Sequence, residues 1–156
     1  MTPVQQAVSE FLSGERIAVT GVSRSAKDHG ANVVYTRLRD RGYTVFAVNP
    51  HADRVEGDAA YADLKSIEGG VDGVVIGTSP EHAEATVREC VDLGIRRVWM
   101  HRGPGAGSVS EPAAQFGREH GLTVIAGGCP CMFGRTADTG HRVMRFFGVG
   151  HMARQA

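Results

Sequence analysis

The chain has 156 residues, of which 42% are hydrophobic and 22% are charged, and its 17 basic residues are balanced by 17 acidic ones. A balanced charge gives no bulk attraction for nucleic acid or a membrane surface, and no apolar run approaches the roughly 20 residues of a membrane-spanning helix. Residues 1–14 lack the basic start and long apolar core of a signal peptide. We therefore expect a single cytoplasmic domain over residues 1–156, with no nucleic-acid or membrane partner.

Apolar residues recur along the chain with the spacings of alternating helices and strands. Short apolar runs predict five strands, over residues 17–20, 43–48, 71–76, 97–100 and 122–126. Helical spacing predicts an N-terminal helix over 3–13, a short helix at 63–67, and crossover helices that begin near Ala31, Pro80 and Ser108. A polar loop containing Asp53, Glu56 and Gly57 is expected to follow the second strand.

This alternation predicts a three-layer, Rossmann-like α/β fold. Right-handed crossovers make such a sheet parallel and place helices on both of its faces. We expect about five strands in the order 3-2-1-4-5, within a core of residues 15–131. In the tail, residues 132–156, we expect a helix that packs on the core as a lid. The apolar residues Val143, Met144, Phe146 and Phe147 would face the core, with Arg135, Arg142 and Arg145 exposed.

Two serines stand where helices are expected to begin. Ser79 precedes a proline and an acid, which is typical of a helix N-cap followed by its first turn. Ser108 with Glu111 resembles a capping box for the helix that ends near His120.

The carboxyl ends of the strands are where an open parallel sheet binds its ligands. After the first strand, Gly21 allows a tight turn that can approach a phosphate closely. Ser23 offers a hydroxyl and a backbone N–H, while Arg24 and Lys27 add cationic donors. These residues predict an anion-binding turn.

The second strand ends in Asn49 and Pro50, where a NAD site is expected to carry an acid that accepts from the ribose hydroxyls. The nearest acid, Asp53, lies in the following loop. The turn also lacks the second glycine of a G-x-G-x-x-G motif. An NAD(P) site stays open, because Arg24 could meet a 2′-phosphate.

Two further strand ends offer contact surfaces. Thr78 and Ser79 can donate to a pyrophosphate or to the amides of an extended ligand. After the fourth strand, His101 precedes a glycine-rich loop at residues 103–107 that could close over a ligand. His101 is the strongest candidate among seven scattered histidines, and no nucleophile–base pair is defensible from the sequence.

The three cysteines are expected to be structural residues rather than catalytic or metal-binding ones. Cys90 falls at an apolar position of a helix. Cys129 and Cys131 enclose a single proline, which is a poor start for a tetrahedral metal site without a second pair. We predict no metal site, although a redox pair stays open.

Several of these segments together resemble a known family. The segments Ile17-Ala-Val-Thr-Gly-Val-Ser-Arg24, Gly42-Tyr-Thr-Val-Phe-Ala-Val-Asn-Pro50, Thr78-Ser-Pro80 and Gly128-Cys-Pro130 are similar to those of stand-alone CoA-binding domain proteins and of the CoA-binding domain of the succinyl-CoA synthetase α subunit. The resemblance implies that the first segment holds the phosphates of the 3′-phospho-ADP group. It implies that residues 48–50 border the adenosine, and that Thr78 and Pro80 border the pyrophosphate or pantetheine. The candidate ligand-binding residues are therefore Gly21, Val22, Ser23, Arg24, Lys27, Val48, Asn49, Pro50, Thr78, Ser79, Pro80 and His101.

The function that we expect is binding of coenzyme A or an acyl-CoA, without self-contained catalysis, by a carrier, a sensor or an accessory subunit of an acyl-CoA enzyme. A homodimer is compatible with this expectation. Two alternatives remain: an NAD(P)-binding oxidoreductase or redox sensor, and a protein-interaction domain with an empty pocket and an apolar surface around Phe146 and Phe147.

Overall fold

In the computed structural model, the described residues are 2–25, 30–103 and 107–133, together with the backbone of residues 154–155. The helices are α1 (Pro3–Leu12), α2 (Gly30–Asp40), α3 (Pro80–Leu93) and α4 (Glu111–Glu119), with a 3-10 helix at Pro130–Met132. The strands are β1 (Arg16–Thr20), β2 (Thr44–Val48), β3 (Arg54–Val55), β4 (Asp58–Tyr61), β5 (Gly73–Ile76), β6 (Arg97–Met100), β7 (Thr123–Ala126) and β8 (Arg154–Gln155).

The α/β class is confirmed, and all five predicted strands are present as β1, β2, β5, β6 and β7. They pair in parallel and form the centre of a sheet. The described part of the chain adds three short strands, in the order β3-β4-β2-β1-β5-β6-β7-β8. The predicted order 3-2-1-4-5 is wrong, because the third predicted strand, β5, pairs with β1 on the side away from β2. The five predicted strands therefore lie in the order 2-1-3-4-5.

The cause of this difference is a small hairpin formed by β3 and β4. We predicted a polar loop here, but β4 pairs in parallel with β2 and occupies the edge that the third strand was expected to take. Glu56 and Gly57 form its two-residue turn with φ of 50° and 81°, the backbone that joins the strands of a tight hairpin. The predicted short helix at residues 63–67 is also wrong, since that segment consists of turns.

The hairpin is attached to α2 by a polar cluster. The Tyr35 hydroxyl and the Arg39 guanidinium each donate to Asp58 Oδ2, both at 2.7 Å. These two hydrogen bonds, that from Tyr35 first, hold the pKa of Asp58 below its ordinary value. The cluster fixes the position of β4, and with it the segment that follows β4.

Two apolar cores lie on opposite faces of the sheet. One is covered by α1 and α2 and centres on Trp99, which is fully buried, meets Phe11 edge to face at 5.4 Å, and donates its indole N–H to Gly127 O at 2.9 Å. Cys129 and Cys131 are buried in this core. The other core lies beneath α3 and α4 and contains Cys90, whose burial raises its thiol pKa to about 12.

The helix starts agree only in part with the prediction. Pro80 begins α3, but the Ser79 hydroxyl makes no capping hydrogen bond. The N-cap of α4 is Ser110, whose Oγ accepts from Ala113 N at 3.3 Å, so the predicted cap at Ser108 is wrong. Ser108 is instead buried, and its N–H donates to His101 O at 2.8 Å.

Several predictions lie outside the described residues. They concern Lys27, the centre of the glycine-rich loop at residues 104–106, and the tail with Phe146 and Phe147. Among the helices that are described, none has the length and apolar composition needed to cross a membrane.

Candidate functional site

A cleft of about 500 Å³ opens at the carboxyl ends of β1, β2 and β5. In the observed strand order, the connection after β1 leads toward β2, whereas the chain after β5 continues toward β6 on the other side. The boundary between β1 and β5 is therefore the switch point, the place where open α/β sheets bind ligands. The cleft is lined by residues from five segments: Thr20, Gly21 and Ser23; Val48, Asn49, Pro50 and His51; Ala62, Asp63 and Leu64; Thr78; and His82, Ala85, Thr86 and Glu89.

The turns after β1 and β5 pack backbone against backbone at the base of the cleft. Gly21 has φ of 80°, and a Cβ there would lie 2.5 Å from Gly77 O. The Gly77 N–H donates to both Thr20 O and Thr20 Oγ1, each at 3.1 Å. The approach of these two turns therefore requires glycine at both positions, since a Cβ on Gly77 would lie 2.6 Å from Thr20 O, and it would also lie 2.5 Å from Ala31 Cβ of α2.

The turn that follows β1 is held by Asn32 of α2. The Asn32 Oδ1 accepts the Ser23 N–H at 2.8 Å, and its Nδ2 donates to Ser23 O at 2.8 Å. The Ser23 Oγ accepts the N–H of Ser25 at 3.1 Å, so its hydroxyl proton can be directed to another acceptor. Ser23 lines the cleft, and of its two predicted anion-binding groups the N–H is already bound to Asn32 Oδ1.

The end of β2 forms the facing rim of the cleft. Asn49 Nδ2 donates to Val22 O at 3.0 Å, and its Oδ1 accepts the His51 N–H at 2.8 Å. Pro50 and Val48 add an apolar surface beside it. Asp53, the acid considered for a ribose contact, is exposed and does not line the cleft.

The wall formed by β5 and α3 carries polar groups. Thr78 lines the cleft, and its Oγ1 is buried with no hydrogen-bond partner among the described residues, so this hydroxyl lacks the partner that a buried polar group requires. Ser79 Oγ lies 2.8 Å from His82 Nδ1, a contact across the helix start that the sequence pattern does not indicate. Glu89 Oε1 accepts the Leu64 N–H at 3.0 Å and joins α3 to the segment after β4.

Two acids line the cleft, Glu89 and Asp63, and Asp63 follows β4. Its Oδ1 accepts from both the N–H and the hydroxyl of Ser66. The hydrogen bond from the Ser66 hydroxyl, followed by that from the N–H, lowers the pKa of Asp63. Asp63 is therefore ionised near neutral pH, with its other oxygen available as an acceptor.

Six of the predicted ligand-binding residues line the cleft: Gly21, Ser23, Val48, Asn49, Pro50 and Thr78. The others lie elsewhere. Val22 is fully buried in the core, Arg24 is exposed beside the turn, and Ser79 and Pro80 stand next to the cleft at the start of α3. The His101 ring packs on the start of α2, where a Cβ on Gly30 would lie 2.9 Å from its Cε1. Lys27 is not described.

Nine lining residues are not among the predicted ligand-binding residues. Four of them, His82, Ala85, Thr86 and Glu89, recur at helical spacing on one face of α3. These four residues form a face of α3 beside the buried face of Ala83, Val87 and Cys90. A second face of polar and small residues on α3 was therefore the sequence feature that could have indicated these cleft residues. The others, Thr20, His51, Ala62, Asp63 and Leu64, depend on the end of β1, the loop after β2 and the unpredicted hairpin.

The strand order, the glycine turn and the cleft at the switch point define a doubly wound, Rossmann-like α/β protein. The sequence model of one family, described as CoA binding domain, matches residues 15–135. The chain belongs to this family, which confirms the resemblance found in its motifs.

Individual curated proteins and a solved structure are also similar to this chain. The uncharacterized protein YneT of Bacillus subtilis (strain 168) is 31% identical over 128 residues, which cover 81% of this chain and 91% of YneT. The acetate–CoA ligase [ADP-forming] II subunit alpha of Pyrococcus furiosus is 27% identical over 126 residues, or 76% of this chain and 27% of that subunit. A solved structure, a hypothetical protein from Pyrococcus horikoshii OT3, shares the fold with a TM-score of 0.74 and 23% identity, covering 83% of this chain and 87% of that one.

Proposed function

We propose that this protein binds coenzyme A or an acyl-CoA in the cleft between β1, β2 and β5. The observation that carries the proposal is that a member of the CoA-binding domain family places its glycine turn, its Asn49–Pro50 rim and the Thr78 hydroxyl around one cleft. The cleft of about 500 Å³ falls within the range of about 300–1,000 Å³ that is typical of small-molecule sites.

The phosphates of the ligand lie at the turn after β1 in this proposal. The Ser23 hydroxyl donates to a phosphate oxygen from the cleft wall, and the exposed Arg24 guanidinium beside it meets the 3′-phosphate. A guanidinium is suited to this role because it presents a planar set of donors that match phosphate oxygens.

The apolar part of the cleft holds the nucleobase or the pantetheine arm. Val48, Pro50, Leu64 and Ala85 supply apolar surface to either group. The Thr78 hydroxyl, which has no partner among the described residues, pairs with an amide or pyrophosphate oxygen of the ligand. An unpartnered buried hydroxyl costs free energy that such a hydrogen bond recovers.

We propose a binding role rather than self-contained catalysis, as a carrier, a sensor or an accessory subunit of an acyl-CoA enzyme. One relative is the alpha subunit of an ADP-forming acetate–CoA ligase, and this chain spans 27% of its length. An NAD(P) site is the competing proposal. It is disfavoured because Asn49, the residue in place of the ribose-binding acid, has both ends of its amide bound to backbone.

Isothermal titration calorimetry with CoA, dephospho-CoA, NAD and NADP tests this proposal. We expect CoA to bind most tightly and Arg24→Ala to weaken CoA about tenfold or more, as for loss of a hydrogen bond to a charged group. Dephospho-CoA should bind Arg24→Ala and the wild type equally. Arg96→Ala removes an exposed arginine that precedes β6, at the opposite end of the sheet, and should leave both ligands unaffected.

The outcomes separate the alternatives. Equal affinity of the wild type for CoA and dephospho-CoA would show that the 3′-phosphate is not recognised. Preferential binding of NAD or NADP would favour the oxidoreductase alternative, and no binding of any of the four would favour an interaction domain.

A further inference from the structure

Asn32 and Asn49 are the only asparagines in the sequence, and both bind the backbone of the turn after β1. The Asn32 amide donates to Ser23 O at 2.8 Å, and the Asn49 amide donates to Val22 O at 3.0 Å. Two consecutive carbonyls of the turn are therefore each paired with a side-chain N–H. One asparagine comes from α2 and the other from the end of β2.

The oxygens of both amides are also hydrogen-bonded. Asn32 Oδ1 accepts the Ser23 N–H at 2.8 Å, and its Nδ2 makes a second hydrogen bond, to Glu56 Oε1, at 2.8 Å. Asn49 Oδ1 accepts the His51 N–H at 2.8 Å. Each asparagine thus acts as donor and acceptor at once, which an ionised aspartate cannot do because it only accepts.

These contacts have an electrostatic consequence for an anion at the turn. An unpaired carbonyl oxygen near a phosphate would repel it, whereas an N–H donor bound to that oxygen offsets its partial negative charge. Asn32 is 2% exposed and does not line the cleft, so it can act on a ligand only through the turn.

We propose that Asn32 and Asn49 are positioning residues that pair the carbonyls of Ser23 and Val22 and so make the turn receptive to phosphate. The inference rests on the proposed CoA function of the same cleft. It also explains why β2 ends in an asparagine where a dinucleotide site carries an acid. The residue at this position serves the phosphate turn with its N–H, and an acid would place a carboxylate oxygen against Val22 O.

The test compares an anionic with a neutral ligand that share one nucleoside. Binding of adenosine 3′,5′-bisphosphate and of adenosine is measured by NMR titration for the wild type, Asn32→Ala and Asn49→Ala. We expect each variant to bind the bisphosphate about tenfold more weakly, which corresponds to about 1.4 kcal/mol. Asn32 does not line the cleft, so Asn32→Ala should change adenosine binding by less than about threefold.

Asp72→Ala is the matched control. Asp72 Oδ2 accepts the N–H groups of Glu15 and Arg16, each at 2.9 Å, and so anchors the other end of β1 with the same kind of side-chain contact. This variant loses stability without touching the turn. We expect it to bind both ligands as the wild type does at a temperature where all variants are folded.

A second measurement needs no ligand. The Ser23 N–H is bonded to Asn32 Oδ1, so its hydrogen exchange should accelerate in Asn32→Ala and stay unchanged in Asp72→Ala. The inference is overturned if Asn32→Ala binds the bisphosphate as the wild type does, or if it weakens adenosine by the same factor. Failure of the wild type itself to bind CoA or the bisphosphate would contradict the proposed function instead.

Discussion

Replacing Gly21 by alanine should both destabilise the protein and damage the cleft. Gly21 has φ of 80°, which an L-residue adopts at a cost of about 1–2 kcal/mol. The new Cβ would lie 2.5 Å from Gly77 O and 2.8 Å from Thr78 N, both backbone atoms that cannot rotate away. Overpacking of this kind costs about 1–3 kcal/mol, so we expect a total loss of about 2–5 kcal/mol in the free energy of unfolding.

Gly121→Ala is the matched control for this substitution. Gly121 has φ of 84° but no atom within 4 Å of its added Cβ, so it carries the backbone cost without the clash. Urea unfolding should give a loss of about 1–2 kcal/mol for Gly121→Ala. Calorimetry should show weaker CoA binding for Gly21→Ala alone, because the clash separates two walls of the cleft. Equal stability and equal CoA affinity of the two variants would refute the close approach as a constraint.

Two further predictions concern groups outside the cleft. The Asp72 carboxylate accepts the N–H groups of Arg16 and Glu15, which lower its pKa below the value of 3.8 in the unfolded chain. The stability that this carboxylate contributes is therefore present above pH 3.8 and lost as the pH falls through the lower folded pKa. Asp72→Asn should reduce the fall in the free energy of unfolding between about pH 5 and 2, measured by urea unfolding. The same fall in the variant and the wild type would contradict this. Cys90 has a pKa of about 12, so about one molecule in ten thousand carries its thiolate at pH 8. Mass spectrometry should find Cys90 unmodified after iodoacetamide treatment of the native protein and modified after unfolding. Rapid labelling of the native protein would show that the thiol is not buried.

The central sheet was predictable because each of its strands has a recognisable local sequence pattern. Segments such as 17–20 and 97–100 are short, apolar and bounded by charge or glycine, and each is a parallel strand in the structure. The start of α3 was predictable from an equally local signal, since Pro80 fixes the backbone angle φ of the first helical residue.

The strand order was not predictable from the same signals, because it depends on a hairpin that has no recognisable turn pattern in the sequence. Its turn uses Glu56 at φ of 50°, where glutamate is rare and where an asparagine or glycine would have indicated a hairpin. The hairpin is stabilised instead by contacts from α2, such as Arg39 with Asp58. Such long-range contacts leave no periodic trace in the sequence.

The site was predicted where it follows a strand end and missed where it depends on a neighbouring element. Gly21, Asn49 and Thr78 come directly after strands, so the general rule for parallel sheets finds them. Leu64 and Glu89 reach the cleft only because the hairpin lies beside β2 and because α3 turns its second face inward.

The central claim, that CoA binds in this cleft, is tested most directly by mapping the backbone amide shifts that CoA induces in the labelled protein. We expect shifts at the turn after β1, at residues 48–51 and 62–64, at Thr78 and along the His82–Glu89 face of α3. We expect none at the opposite end of the sheet, around Asp72 and Gly121. Saturable shifts centred on His101 with none in the cleft, or no shifts at millimolar CoA, would contradict the account.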